Sequence, residues 1–455
     1  MSTTTVGTTP TQQEPRPAFH RLQRGQVIGG ILLLALITIV VLTAFGEPMW
    51  QLLGFGTLLL SVVIVVLLAL GVLLITLGIA AITRRRTRIM PWLGRFFRLL
   101  LVLGALLAAL AGAMFGSQLH TSTPPILGAD GKPLPGSIAA LEQVTLNGSQ
   151  EWISIRGKNM RNPVLLQLDG GPGGSYMAHL RTSYPTLEDH FIVVAWDQPG
   201  AGKSYNAVPI GSLTIDRYVS DAHALIQLLC TRFHQNKIYL TGDSWGTVPG
   251  ILLVQRYPEL FYAYVGTGQR TSVLEDDRMG YALALKIAAE RGDTATVEKL
   301  RHNGPPPYLG SDPLDRLWKN FDYLAVLDFY AWEHIKPEKT AGLPAMMSWM
   351  GQEDGLVDKV NFFRGLYDTF AVVYPQLYAI DFSTQATRLG APVYFLQGRW
   401  DLEEMGSLLE RYYRVLQAPH KELIYFENSA HTPPGDEPSK FVDVLVNHIL
   451  PQTYH

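Results

Sequence analysis

The chain has 455 residues, 47% of them hydrophobic and 17% charged, with a formal net charge of -2. That length holds a large catalytic domain and something beside it, while near-neutral charge without a basic tract beyond the flanks of the apolar segments argues against a nucleic-acid surface. The single Cys230 excludes an intrachain disulfide and, in an apolar helical stretch, reads as a core residue rather than a nucleophile.

Residues 1–26 are polar and expected to form a disordered cytoplasmic N-terminus. Three apolar runs follow in the region 27–116, at about 27–45, 52–82 and 97–116, each long enough for a transmembrane helix. Helices of a soluble core would keep a polar stripe, which these lack. A cleaved signal peptide would have a shorter apolar core and no further hydrophobic runs behind it. Arg84, Arg85, Arg86, Arg88, Arg95 and Arg98 crowd the loop between the second and third runs, and Arg16, Arg21 and Arg24 precede the first. Both regions are therefore expected in the cytoplasm. Three spans make this an integral plasma-membrane protein with its catalytic domain outside; an even number reverses that side. Gly104, Ala108 and Gly112 form a small-residue ridge suited to close helix packing.

Residues 117–137 are rich in proline and glycine and read as a linker or wrapping arm. From about Ile138 short apolar runs at 164–168, 191–195, 238–240, 263–265, 393–396 and 423–426 alternate with helical stretches such as 215–230 and 440–450. Strands buried on both faces of a parallel sheet have this form, so the fold class is α/β and doubly wound. Between the two core segments, 138–270 and 388–455, the block 271–387 has no clear strand and many aromatic residues, among them Trp318, Phe321, Tyr323, Phe329, Tyr330, Trp332 and Trp349. It is expected to be an inserted helical cap that roofs the site.

The chemistry centres on Gly242-Asp243-Ser244-Trp245-Gly246, which follows an apolar β-rich run and opens a helix. Glycines two positions before and after the serine permit the tight turn of a nucleophile elbow. A serine hydroxyl needs a histidine base, itself held by a carboxylate. In the chain order Ser, acid, His that this fold uses, Asp401 after one buried strand and His431 after the last complete the set with Ser244. Glu403 and Glu404 are the alternatives to Asp401, while His179, His190, His223, His234 and His420 read as surface or core residues. No group has metal-ligand spacing, so no metal or other cofactor is expected. The oxyanion donors are expected to be the backbone N–H of Trp245 and that of Gly171, with Gly170 as the alternative, in the turn Asp169-Gly170-Gly171-Pro172-Gly173-Gly174. The segment Gly200-Ala201-Gly202-Lys203-Ser204 looks like the end of a P-loop, but Asp197 stands where the first glycine belongs, so nucleotide binding is rejected.

Four motifs together resemble the proline iminopeptidase group of α/β-hydrolases over roughly 138–455. They are Asp169 to Gly174, similar to the family's H-G-G-P-G-G; Trp196 to Ser204, similar to its D-Q-R-G-x-G-x-S; Gly242 to Gly246, similar to its G-G-S-W-G; and Gly398-Arg399-Trp400-Asp401 with His431. The resemblance implies an eight-stranded, mostly parallel sheet with a helical cap, and release of an N-terminal residue, often proline, from a peptide. Two departures alter the pocket wall: Asp169 stands for the family's histidine and Pro199 for its arginine. The cap also lacks the aromatic and acidic motif that holds the free amine in typical members. Glu275, Asp276, Asp277 and Glu290 could supply negative charge there, and Glu275 and Glu290 are the candidate substrate-binding residues. The expectation is a membrane-anchored serine aminopeptidase working through an acyl-enzyme on Ser244. The rivals are an esterase, lipase or amidase on small acyl substrates and, more distantly, an inactive membrane receptor or scaffold. Dehalogenase and epoxide hydrolase chemistry drop out, because they use an aspartate where Ser244 stands.

Overall fold

The structure, a computed structural model, describes residues 24–45, 48–83, 86–310, 312–338 and 351–454. The expected disorder of residues 1–23 and the roles given to Arg16, Arg21, Arg84, Arg85 and Trp349 lie outside the described residues. The chain divides into two compact units, one of Met1–Thr43 with Gly54–Leu110 and one of Ala44–Leu53 with Ala111–His455.

Three helices, Arg24–Phe45, Pro48–Thr83 and Arg86–Gln118, occupy the N-terminal region. Two of them carry runs long and apolar enough to cross a bilayer, Leu53–Thr83 with mean hydropathy 3.4 and Ile89–Gln118 with 2.4. The expectation of about three spans is therefore corrected to two candidate spans among the described residues. The apolar stretch of the first helix is Ile31–Thr43, which at about 1.5 Å per residue rises only about 20 Å against a hydrocarbon thickness of about 30 Å. The two longer runs are not the core helices of a soluble protein: Leu67, Leu74, Ile82, Leu101 and Phe115 are all exposed.

In the second unit eight strands form one sheet: β1 (Ile138–Leu146), β2 (Ser149–Gly157), β3 (Val164–Leu168), β4 (Ile192–Asp197), β5 (Ile238–Asp243), β6 (Phe261–Thr267), β7 (Val393–Gly398) and β8 (Lys421–Phe426), in the order β1-β2-β4-β3-β5-β6-β7-β8. β2 pairs antiparallel with β1 and β4, and every other pairing is parallel. The six parallel strands coincide with the six apolar runs of the sequence. β1 and β2 did not stand out, because polar residues interrupt the apolar pattern, in β2 the buried Ser149, Glu151, Ser154 and Arg156. Their signal was the turn: Asn147 and Gly148 both adopt positive φ, +46° and +88°, the requirement of a two-residue hairpin that an Asn-Gly pair meets at low cost.

Alternate residues of each strand feed two cores. Leu166, Leu168 and Leu240 pack with Leu225, Ile226 and Ile251 on one face, and Leu165, Tyr239 and Val265 pack with Phe441 and Leu445 on the other. The linker is fastened to this body: Ser122 N–H donates to Gln352 O at 3.2 Å, and Arg156 Nη1 donates to Thr123 Oγ1 at 2.7 Å. Between β6 and β7 the described residues form helices, including Val273–Glu290, Thr294–Asn303, Pro313–Trp332, Leu356–Arg364 and Phe370–Leu377. A single bridge between Ser272 and Asp381 ties the start of this insertion to its end.

Candidate active site

The site lies at the C-terminal ends of β3, β5, β6, β7 and β8. At the end of β5 the chain passes from Asp243 into Ser244, whose φ is +48°, and straight on into the helix Thr247–Arg256. A positive φ is unusual for a residue with a side chain, and here the surroundings impose it. A Cβ at Gly246 would stand 2.1 Å from Leu168 O, and one at Gly242 would stand 2.7 Å from Gly246 O. Both glycines of the motif are thus required by close backbone approach, and Ser244 is left 7% exposed at the apex.

The glycine-rich turn after β3 lies against this elbow. A Cβ at Gly170 would come within 3.5 Å of Ser244 Cβ, and Gly171 has φ +129°. The loop after β4 braces both parts: Gln198 Oε1 accepts from Trp245 Nε1 at 3.0 Å, and Gln198 Nε2 donates to Asp169 O at 3.3 Å. Asp197, at the position that denied a P-loop, accepts from Ser175 Oγ at 2.6 Å and from Lys203 N–H at 2.7 Å, while Lys203 Nζ pairs with Asp358 at 2.8 Å. The loop is structural scaffolding.

The turns after β7 and β8 interlock. Trp400 N–H donates to Ser429 O at 2.9 Å, and a Cβ at Gly398 would strike Ala430 O. Asp401 is buried, accepting from Glu403 N–H at 3.1 Å, Glu404 N–H at 3.0 Å and Gln397 Nε2 at 3.1 Å. Its two oxygens lie 3.3 and 3.4 Å from His431 Nδ1. Glu404 Oε2 is closer to the same nitrogen, at 2.5 Å, but approaches from outside the hydrogen-bonding direction and is also paired with Arg270. On the other ring nitrogen, Glu403 Oε2 stands 3.9 Å from Nε2. Burial pulls the His431 imidazole toward the neutral form, but the three carboxylates outweigh it and hold its pKa well above the usual histidine range. Asp401, Glu404 and His431 bring ligand atoms within 4.8 Å of one another. Arg270 already supplies the positive charge on Glu404, so the cluster is an ion-pair network rather than a metal centre.

The insertion closes over this end. His334 stacks on Trp400 with ring centroids 4.3 Å apart, and Ala331 and Ile335 pack on Ala430. From the helix Pro313–Trp332, Asp328 interacts electrostatically with Glu403, His431 and Asp401; burial first and Glu403 second push its carboxyl up to about 8. Burial likewise raises Glu403. Neither Asp328 nor Arg270 carries a distinguishing mark in its local sequence. Glu275 and Glu290 are not brought to this cluster. Glu275 pairs with Arg411 at 2.5 Å and both side chains are exposed, while Glu290 is 64% exposed with Lys286 3.9 Å away. A cavity of about 160 Å³ borders Asp169, Asp243 and Tyr176, but neither Ser244 nor His431 lines it. Burial first and the neighbouring Asp243 second raise the Asp169 carboxyl well above its usual range.

A mostly parallel eight-stranded sheet, a strained strand–turn–helix serine and a carboxylate–histidine pair on the two last strand ends define an α/β-hydrolase. Residues 186–322 match the family model described as Serine aminopeptidase, S33. The chain is 31% identical over 317 residues to the Probable aminopeptidase YbaC of Bacillus subtilis, covering 70% of this chain and 98% of that protein. It is 22% identical over 286 residues to a Proline iminopeptidase of Heyndrickxia coagulans (62% and 88% covered) and 24% identical over 310 residues to one of Saccharolobus solfataricus (64% and 85% covered). The chain belongs to the α/β-hydrolases of the S33 type.

Proposed function

We propose that this chain is a membrane-attached serine aminopeptidase that releases N-terminal residues, proline among them, from peptides. Ser244 Oγ attacks the carbonyl carbon of the first residue while His431 Nε2 takes the hydroxyl proton, and Asp401 orients the ring through Nδ1. The backbone N–H groups of Trp245 and Gly171 hold the oxyanion, with Gly170 the alternative second donor. His431 then gives its proton to the departing amine, and water, deprotonated by His431, hydrolyses the acyl-enzyme.

The observation that carries the aminopeptidase reading is Glu403, whose Oε2 lies 3.9 Å from Nε2, with Asp328 of the insertion interacting with it. Burial raises both carboxylates above their usual range, and a substrate α-ammonium that pairs with them favours their ionised forms. They take the role that Glu275 and Glu290 were expected to fill. The test is hydrolysis by the full chain in detergent of prolyl and other aminoacyl arylamides, of their N-acetylated forms and of a short acyl ester, with Ser244→Ala as control. Cleavage that needs the free amine and is lost in the variant supports the reading. Ester cleavage indifferent to an amine makes the protein an esterase, and no turnover at all would favour the receptor or scaffold.

The helices Leu53–Thr83 and Ile89–Gln118 are the membrane attachment in this reading. Only the second of them must cross for the arginine-rich loop around residues 84–88 and the catalytic domain to lie on opposite sides. Cationic loops stay in the cytoplasm, which puts the domain outside. Residues before Leu53 then share the domain's side, unless the helix Arg24–Phe45 also crosses. Protease protection of tags at the two chain ends, in sealed cells, decides both points.

A further inference from the structure

We propose that Glu404, held by Arg270, is a second positioning residue for the catalytic histidine, so that His431 Nδ1 is oriented by two carboxylates rather than one. The inference rests on the hydrolase reading above. Three observations carry it. Glu404 Oε2 lies nearer to Nδ1 than either oxygen of Asp401, at 2.5 Å against 3.3 and 3.4 Å. Glu404 is 1% exposed, and neither of its carboxylate oxygens has a hydrogen-bond donor in line. A buried carboxylate in that state must be held by charge, and the charges on it are His431 and the equally buried Arg270.

Arg270 in turn is fixed from the inserted helices. Its Nη1 lies 3.9 Å from Asp277 Oδ1, and Asp277 accepts from Tyr374 Oη at 2.9 and 3.1 Å. Asp276 Oδ1, from the same helix Val273–Glu290, accepts from Met405 N–H at 2.9 Å and pins the backbone beside Glu404. A chain of charge and hydrogen bonds therefore runs from Tyr374 through Asp277, Arg270 and Glu404 to the base. In the transition state, when His431 carries the serine's proton, Glu404 and Asp401 both stabilise the imidazolium. If either is neutralised, the other still selects the tautomer with hydrogen on Nδ1.

The readout is the rate at which a fluorophosphonate labels Ser244 in the full chain, as a function of pH, because labelling needs the serine and its base but no particular substrate. With one orienting carboxylate, replacing it by an amide costs about 10⁴-fold. With two, Asp401→Asn alone is expected to lose only about 10²-fold, and Asp401→Asn with Glu404→Gln about 10⁴-fold. Glu404→Gln alone removes an anion from the imidazole, so the acid limb moves to lower pH while the plateau falls about tenfold; Glu404→Asp keeps the limb in place. The other groups whose charge reaches His431, namely Glu403, Asp328, Asp243 and Asp436, are unchanged in all four variants. An Asp401→Asn protein as slow as the double variant, with the Glu404→Gln limb unmoved, overturns the proposal. Should Glu404→Gln fail to fold, Asp401→Asn decides alone: a loss of about 10⁴-fold overturns it, and about 10²-fold supports it. A wild-type chain whose Ser244 is never labelled refutes the hydrolase reading itself, and this proposal with it.

Discussion

The two halves of the site are built on different physics. On the serine side, geometry comes from backbone crowding: Gly242, Gly246 and the glycine turn after β3 sit where a single extra carbon would strike a carbonyl oxygen, and Ser244 is forced to positive φ. On the histidine side the turns also interlock, Gly398 against Ala430 O, but the imidazole itself is positioned by charge, with Asp401, Glu403, Glu404, Arg270 and Asp328 gathered around it from three separate stretches of chain. Steric constraint is local and all-or-none. Electrostatic constraint is long-range and graded, so the two halves should fail differently when altered.

The largest expected effect is Ser244→Ala, which should lower arylamide hydrolysis by about 10⁴-fold or more while leaving the thermal midpoint near that of the wild type. Next is Gly246→Ala. Its methyl would sit 2.1 Å from Leu168 O, so the elbow must open; thermal denaturation should show a loss of about 2–4 kcal/mol, and turnover should fall about 10²-fold. A Gly246→Ala enzyme of normal stability would mean that the serine side is not sterically locked, and the contrast between the halves would collapse.

Alterations on the charged side should leave the fold standing and change selectivity or pH response instead. Asp328→Asn with Glu403→Gln is expected to move the acid limb to lower pH for every substrate, but on the pH plateau to raise KM for free-amine arylamides by about 10–10²-fold and leave N-acetylated or ester substrates nearly untouched. Equal losses on both substrate classes would strip the pair of its amine-binding role. The pH profile follows from the same charges. A base held well above the usual histidine range by Glu403, Glu404 and Asp401 is protonated at pH 6.5, and it must be neutral to take the serine proton. kcat/KM for a neutral ester should therefore rise about tenfold per pH unit below the shifted midpoint and level off only above it. An acid limb centred at or below pH 6.5 would show that Arg270 and burial, not the carboxylates, dominate the ring.

This contrast also explains what could be read from the sequence. The elbow, the glycine turn, Asp401 and His431 were visible because each is a short motif at the end of an apolar run, so a few adjacent residues carried the whole signal. Asp328 lies more than seventy residues from Glu403, on a helix whose pattern reports only its own burial, and Arg270 looks like any loop arginine until β6 delivers it under Glu404. The hairpin β1–β2 was missed for a different reason. β1 is the edge strand and β2 carries buried polar residues, so neither reads as an apolar run, leaving Asn147-Gly148 as the strong cue. The first of the three expected spans failed on length, since composition alone does not separate a 13-residue apolar stretch from a crossing helix.

The smallest expected effect sharpens the comparison most. Glu275 and Glu290 have the charge and the position in the insertion that an amine-binding role would call for. Glu275, however, is neutralised by Arg411 at the surface, and Glu290 stands in solvent beside Lys286. An exposed carboxylate with its own cation acts on a distant ammonium through water and salt, where the interaction is worth little. Glu275→Gln and Glu290→Gln should accordingly leave kcat and KM for free-amine arylamides within about twofold of wild type at physiological ionic strength. A rise in KM for either, specific to free amines and absent with N-acetylated substrates, would move the recognition of the substrate's amine from the histidine loop out to the first helix of the insertion.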